Sequence, residues 1–219
     1  MFTLHHRGGA QVCGFRDLDL EVAPGQLLAL YGPSGAGKSS VLKSIYRTYR
    51  AQAGSVRFSR QDGSVVDLVN CPESKVLDLR RREIAFVTQF LKTLPRISAL
   101  DVVAQPLVEL GEPAPQARRR ATDLLGRLGI REELLTLSPL TFSGGEQQRV
   151  NIARAVIAPK ELILLDEPTA SLDRDSSDVV LGILGELKKQ GIAMIAIFHD
   201  QNKIERVADA ACRIDRNSR

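Results

Sequence analysis

Gly32-Pro33-Ser34-Gly35-Ala36-Gly37-Lys38-Ser39-Ser40 decides how this chain is read. It has the form G-x-x-x-x-G-K-S, follows the apolar run Leu27-Leu28-Ala29-Leu30-Tyr31, and precedes a helix-prone segment from Val41 to Tyr49. A short apolar run bounded by Pro24-Gly25 and glycine predicts a buried strand feeding a loop, the context the motif requires. Its glycines let the backbone curl until successive N–H groups converge at a helix N-terminus, where the helix dipole also favours phosphate. Lys38 then reaches the β- and γ-phosphates, and Ser39 offers a hydroxyl to Mg²⁺, which keeps several waters. The stretch predicts a nucleoside triphosphate site.

The bulk numbers bound the rest. At 219 residues and 43% hydrophobic content the chain is long and apolar enough for one large domain or two small lobes with a real core. Its longest apolar run, Ile192 to Phe198, falls far short of the roughly 20 residues that cross a bilayer, and no charged-then-apolar leader opens the sequence, so any membrane role is expected through a partner. Cys13, Cys71 and Cys212 lie far apart without C-x-x-C spacing, which predicts neither a disulfide framework nor a zinc site and points to a reducing cytoplasmic compartment. The net charge is +4, with basic triplets at Arg80-Arg81-Arg82 and Arg118-Arg119-Arg120. Few aromatics and interspersed acids favour solvated helix faces or an acidic protein partner over a nucleic-acid face.

Taken in order, residues Phe15 to Val22 alternate apolar and charged, predicting a half-exposed antiparallel strand that Pro24-Gly25 ends. Gly54 to Phe58 and Val65 to Val69, joined by the turn Gln61-Asp62-Gly63-Ser64, predict a small β region. Arg80 to Glu83 is simply charged, and Ile84-Ala85-Phe86-Val87 predicts a buried strand ending at Thr88-Gln89. Breakers at Pro95, Pro106, Gly111, Pro113, Pro115 and Pro139 separate helical patterns at Ala99–Leu110, Gln116–Leu128 and Glu146–Ile157, read as a helical insertion. The α/β pattern resumes with Leu162 to Leu165, a helix at Ser176–Gln190, a strand at Ile192–Phe198, a helix near Gln201–Asp209 and a short strand around Cys212–Ile214.

Leu162-Ile163-Leu164-Leu165-Asp166-Glu167 is an apolar strand ending in two carboxylates, which puts them at the carboxyl edge of a parallel sheet. There Asp166 would hold the Mg²⁺ hydration shell and Glu167 polarise an attacking water; the lesser alternative, two acidic caps of the next helix, recedes once the phosphate loop is counted. Ser143-Gly144-Gly145-Glu146-Gln147 opens an Ala/Ile/Val-rich helix and is a second anion-binding helix start. One lysine-bearing phosphate loop does not need two such starts unless the second meets a nucleotide held by another copy.

These residues resemble the ATP-binding subunit of the ABC superfamily along essentially the whole chain. The loop at 32–40 stands as Walker A, Gln89 as Q-loop, Ser143 to Gln147 as signature, Leu162 to Glu167 as Walker B, Ser171-Leu172-Asp173 as D-loop and His199-Asp200 as H-switch. The resemblance implies an α/β P-loop NTPase (RecA-like) core with an antiparallel β subdomain and an inserted ABC α-helical subdomain. Residues 1–91 and 158–219 would form the core lobe and 92–157 the signature-bearing insertion. It also implies ATP and Mg²⁺ as cofactors and a head-to-tail dimer in which Ser143, Gly144, Gly145 and Glu146, with Asp173, act on the partner's ATP. Gln89 would offer its amide oxygen to Mg²⁺, and His199, following its strand to the same sheet edge, would bond the γ-phosphate and orient the water at Glu167. Phe2 matches the aromatic that stacks on adenine; because the sequence begins at Met1-Phe2, the family's strand before it is expected to be missing or the recorded start to lie too far downstream. Phe142 and Glu146 stand where the most familiar signature has leucine and glutamine. His5 and His6 read as surface residues.

Finer stretches are similar to PhnL, the ABC-type protein of the bacterial phosphonate carbon–phosphorus lyase system: Asp67-Leu68-Val69, Lys75 to Arg80, Thr88 to Lys92, Pro95 to Leu100, Gln147 to Arg154 and Ile197-Phe198-His199-Asp200. Phe198 is informative, since transporter subunits more often carry threonine there. That resemblance implies soluble lyase core subunits as partners and a role in making ribose 1-methylphosphonate 5-triphosphate. Leu94-Pro95-Arg96 and Ala99-Leu100 also resemble ATPase subunits of efflux and lipoprotein-release transporters. A nucleic-acid-linked ABC ATPase is the third reading; such proteins interrupt the core with long coiled coils, for which this chain has no room.

Overall fold

The computed structural model describes residues 2–5, 11–15 and 18–215. At its centre lies a parallel sheet of β3 (Leu27–Tyr31), β6 (Ile84–Val87), β7 (Leu162–Asp166), β8 (Ala193–Ile197) and β9 (Ala210–Arg213), in the order β6-β7-β8-β3-β9. Residues of β7 and β8 are buried throughout, as a strand covered on both faces requires, and this is why they read as unbroken apolar runs. Their side chains still alternate between two cores. Leu27, Ala29, Ile163, Leu165, Met194 and Ala196 face one; Leu28, Leu30, Leu162, Leu164, Ile195 and Ile197 face the other.

The second core is closed by α1 (Lys38–Ile45), α2 (Glu73–Arg82) and a hairpin of β4 (Arg57–Ser59) and β5 (Val65–Asp67). A further antiparallel pair joins β1 (Phe2–His5) to β2 (Gln11–Phe15). The first core is closed by α3 (Ala99–Glu109), α4 (Ala114–Arg127) and α5 (Gly144–Val156), together with α6 (Arg174–Lys189) and α7 (Gln201–Val207). No described helix is long and apolar enough to cross a membrane.

Several expectations need correction. Phe15 ends β2, and residues 18–22 join no strand ladder, while Arg16 and Asp17 lie outside the described residues. The alternation is nevertheless real: Leu18, Leu20 and Val22 pack on the second core and Asp19 and Glu21 are exposed, so side-chain period reports burial without requiring a paired strand. The charged stretch 80–83 is the end of α2. That helix buries only Val76 and Leu79 and shows little periodicity in sequence, and Lys160 closes it by donating to the carbonyls of Arg80 and Arg81. Pro106 lies inside α3, where burial of Val102, Val103, Ala104 and Leu107 outweighs the hydrogen bond proline forgoes. His6 falls outside the described residues, and of Phe2 and His5 only the backbone is described.

Gly32 shows how closely the sheet edge is built. Its φ is 138°, and a Cβ there would lie 2.1 Å from the carbonyl oxygen of Ile214, whose N–H bonds Tyr31 just beyond β9. Gly32→Ala is therefore expected to destabilise the chain by about 2 kcal/mol or more, from clash and backbone strain together. An unchanged urea midpoint would contradict that.

Candidate functional site

The carboxyl ends of four sheet strands bring the predicted residues into a row. Gln89 follows β6, Asp166 ends β7 with Glu167 next, His199 follows β8, and the glycine loop follows β3. In open parallel sheets ligands bind at this edge.

The loop is bent by left-handed backbone at Gly35 (φ 78°) and Gly37 (φ 96°), conformations that L side chains resist. Gly37 occupies the N-cap of α1 and no side chain caps that helix, so the first-turn N–H groups without an intrahelical partner are open to an anion. Pro33, Ser34 and Gly35 are exposed, and Ala36 is buried in the second core, its N–H bonded to the Pro33 carbonyl at 3.3 Å. Lys38 is buried, and its Nζ donates to the carbonyls of Gly32 at 2.8 Å and Pro33 at 3.0 Å. Burial lowers the pKa of its ammonium group, and the charges of Glu167 and Asp166 work against that shift.

Ser39 donates its hydroxyl to Asp166 Oδ1 at 3.0 Å, while Ser40 lies one residue deeper in α1. Burial raises the pKa of Asp166, against the bond from Ser39. A hydroxyl and a carboxylate held this close are hard oxygen donors of the kind Mg²⁺ takes while keeping several of its waters, so the residues present fit the metal. Gln89 is exposed beyond β6 and its amide oxygen completes the set of candidate ligands.

Glu167 sits at φ 55°, a rare conformation for a residue with a side chain. Its Oε1 meets His199 Nε2 at 2.7 Å, with the glutamate side chain 21% and the histidine 46% exposed. A carboxylate oriented by an imidazole at the mouth of a phosphate loop has the geometry of a general base beside the group that aligns its water.

Ser143, Gly144, Gly145 and Glu146 form a second cluster at the tip of α5. The Glu146 carboxylate accepts from Ser143 Oγ at 2.7 Å and from Ser143 N–H at 2.9 Å, while Ser143 Oγ accepts from the Glu146 N–H at 3.3 Å. The Ser143 hydroxyl, then its N–H, hold Glu146 below the usual carboxylate range. This is a capping box, and the S-x-x-E spacing was its signal in the sequence. Asp173 caps α6 with its carboxylate, taking the Ser176 N–H at 2.8 Å, which with the Ser176 hydroxyl lowers its pKa. Among the described residues no hydrogen bond joins Ser143 or Gly145 to Lys38, Ser39 or Glu167. The structure thus holds the glycine-loop cluster and the Ser143 cluster as two separate groups.

A model of the family described as ABC transporter matches residues 15–170. The chain belongs to the ABC family. It is 41% identical over 186 residues to the lipoprotein-releasing system ATP-binding protein LolD of Maricaulis maris, covering 84% of this chain and 79% of LolD. It is 39% identical over 193 residues to the macrolide export ATP-binding/permease protein MacB of Rhodopseudomonas palustris, covering 88% of this chain but only 28% of that protein. Among solved structures, the ATP-binding cassette MJ0796, a dimer in a post-hydrolysis state bound to ADP and Pi, superposes with a TM-score of 0.88 at 26% identity, covering 98% of this chain and 92% of that one. The expected α/β P-loop core is the fold of these cassettes. LolD and MacB are transport-system proteins by name, and the resemblance to PhnL has no counterpart in either.

The raised pKa of Asp166 has a stability consequence. A carboxyl whose folded pKa exceeds its unfolded one stabilises the fold below the ordinary carboxylate range and loses that contribution as pH rises through the folded value. Asp166→Asn keeps an acceptor for Ser39, so the ligand-free chain is expected to unfold at higher urea at pH 7, with the gain vanishing below about pH 4. The same variant should lose the extra stability that Mg²⁺-ATP confers on the parent; unchanged midpoints in both titrations would refute this.

Proposed function

We propose that this ABC ATP-binding subunit hydrolyses ATP as a head-to-tail dimer, each ATP lying between the glycine loop of one copy and the Ser143 tip of the other. The observation that carries the reading is the 2.7 Å pairing of Glu167 with His199 beside the 3.0 Å pairing of Ser39 with Asp166. Residues 1–91 and 158–219 are assigned to the catalytic core lobe and 92–157 to the signature-bearing helical subdomain.

In this reading Lys38 and the N–H groups of residues 35–40 bind the β- and γ-phosphates, and Phe2 stacks on adenine. Ser39, Asp166 and Gln89 would hold Mg²⁺, which when bound neutralises phosphate charge. Glu167 accepts the proton of the attacking water at its carboxylate. His199 fixes that carboxylate and bonds the departing phosphate. From the partner, Ser143 and the N–H groups at Gly144 and Gly145 contact the γ-phosphate, with Glu146 orienting the serine and Asp173 shaping the interface; closure excludes bulk water.

For what the ATPase drives, the names of LolD and MacB weigh toward a cytoplasmic subunit docked on the membrane component of an export or lipoprotein-releasing system. A second reading rests on Phe198, buried in the first core directly before His199, and on the stretches similar to PhnL. In it the chain is an accessory subunit on a soluble carbon–phosphorus lyase core, supporting ribose 1-methylphosphonate 5-triphosphate synthesis.

Glu167→Gln is expected to retain ATP binding, to trap a dimer visible by light scattering, and to hydrolyse at least about 10²-fold more slowly. Parental turnover in that variant would remove Glu167 from its role. Affinity purification from detergent extracts of the native cell separates the two assignments: integral membrane proteins are expected for the export reading, and recovery of soluble lyase subunits in their place would transfer the assignment to the second.

A further inference from the structure

The two helix starts assigned to phosphate are finished in opposite ways. At α1 the N-cap is Gly37, no side chain caps the turn and no acidic residue stands in it. At α5 a carboxylate already occupies the equivalent place. Glu146, the third residue of that helix, accepts from the Ser143 N–H at 2.9 Å and from the Ser143 hydroxyl at 2.7 Å, both through the one oxygen Oε2. Ser143 and Gly144 are exposed and Glu146 is half-buried, so water screens its charge only in part. The group is ionised at neutral pH: the Ser143 hydroxyl and N–H first, and then the charges of Arg149 and Arg131, hold it below the usual carboxylate range while burial opposes them.

The same device opens α3, where the Ser98 hydroxyl donates to Asp101 Oδ2 at 2.7 Å and accepts from the Asp101 N–H at 3.1 Å. Asp101 also pairs with Arg118 at 2.7 Å, and there the cap only starts a helix. At α5 the capping hydroxyl is the one that the head-to-tail reading gives to the γ-phosphate. A serine hydroxyl has a single proton, which cannot serve Glu146 and a phosphate oxygen together. Once the hydroxyl turns to phosphate, the carboxylate lies beside a polyanion in an interface from which bulk water is excluded, where like charges repel strongly. Glutamine, which the most familiar signature has at this position, would keep the acceptor and drop the charge.

We propose that Glu146 is an internal anion at the phosphate-binding tip of α5, and that its negative charge raises the ATP concentration at which two copies of this chain close. This rests on the head-to-tail reading and adds an autoinhibitory contact to it. In the free chain the tip is capped by its own carboxylate, and closure requires the incoming γ-phosphate to take the Ser143 hydroxyl from Glu146. Loss of that phosphate returns the hydroxyl to Glu146, which favours opening.

The test is made in the Glu167→Gln background, where hydrolysis does not erode the complex. Mg²⁺-ATP is titrated at low and high NaCl, with dimer read by light scattering and nucleotide binding to dilute chain read with a fluorescent ATP analogue. Adding Glu146→Gln is expected to lower the ATP concentration for half-maximal dimerisation about tenfold at low salt, and the gain should shrink as NaCl screens the charge. Glu146→Asp keeps the charge and should dimerise no more readily than Glu167→Gln alone. Asp101→Asn, which removes the acid of the equivalent cap in α3, should leave the midpoint where it is. A gain of equal size in the dilute chain, or one matched by Asp101→Asn, overturns the proposal. If neither Glu167→Gln nor its Glu146→Gln double variant dimerises with ATP, the head-to-tail reading falls and takes this inference with it. If both dimerise at the same midpoint, or the double variant needs more ATP, only the inference falls.

Discussion

One hydrogen bond sets the dimensions of the site: Ser39 Oγ to Asp166 Oδ1, 3.0 Å. The two residues come from elements that are not neighbours, since β8 runs between β3, which feeds the glycine loop, and β7, which ends in Asp166. Strands in a sheet lie about 4.8 Å apart, so the bond reaches across a gap of roughly 10 Å and does so only because α1 leans its first turn over the end of β8. The histidine at the end of that intervening strand is consequently placed between the phosphate loop and Glu167. Sheet order, more than any local motif, puts the Glu167–His199 pair at the same sheet edge as the glycine loop.

The helical layer is fastened to this edge rather than merely packed behind it. Asn151 holds the Thr88 carbonyl, Arg154 the Lys92 carbonyl at 3.0 Å, and Arg127 both carboxylate oxygens of Glu186 on α6. The Arg127 pair is exposed on both sides and adds little stability, whereas the Asn151 bond satisfies a buried amide and would leave it stranded if broken. The firm attachment is therefore the one at the loop that carries Gln89.

Much of this was legible beforehand because it is written in spacing. G-x-x-x-x-G-K-S after an apolar run, and an apolar strand ending in Asp-Glu, fix both local structure and chemistry. What escaped was tertiary. Helix α2 carries three consecutive arginines and buries two side chains, so its period is faint until Lys160 and the second core are seen to close it. The segment 18–22 alternates in burial like a strand without pairing as one. The bonds from Gln148 to the Pro168 carbonyl and from Arg149 to the Ser176 hydroxyl join positions 20 and 27 residues apart in sequence, and no periodicity announces them.

The left-handed backbone at Glu167 has a consequence for the protein as a whole. Such a conformation costs on the order of 1–3 kcal/mol, against a net folding free energy of about 5–15 kcal/mol for an ordinary domain. One residue thus withholds from roughly a fifteenth to about half of the margin that keeps the chain folded. Robustness to heat and aim of the carboxylate pull in opposite directions here, and under the role proposed for Glu167 a sturdier version of this molecule that let residue 167 relax would be a slower one.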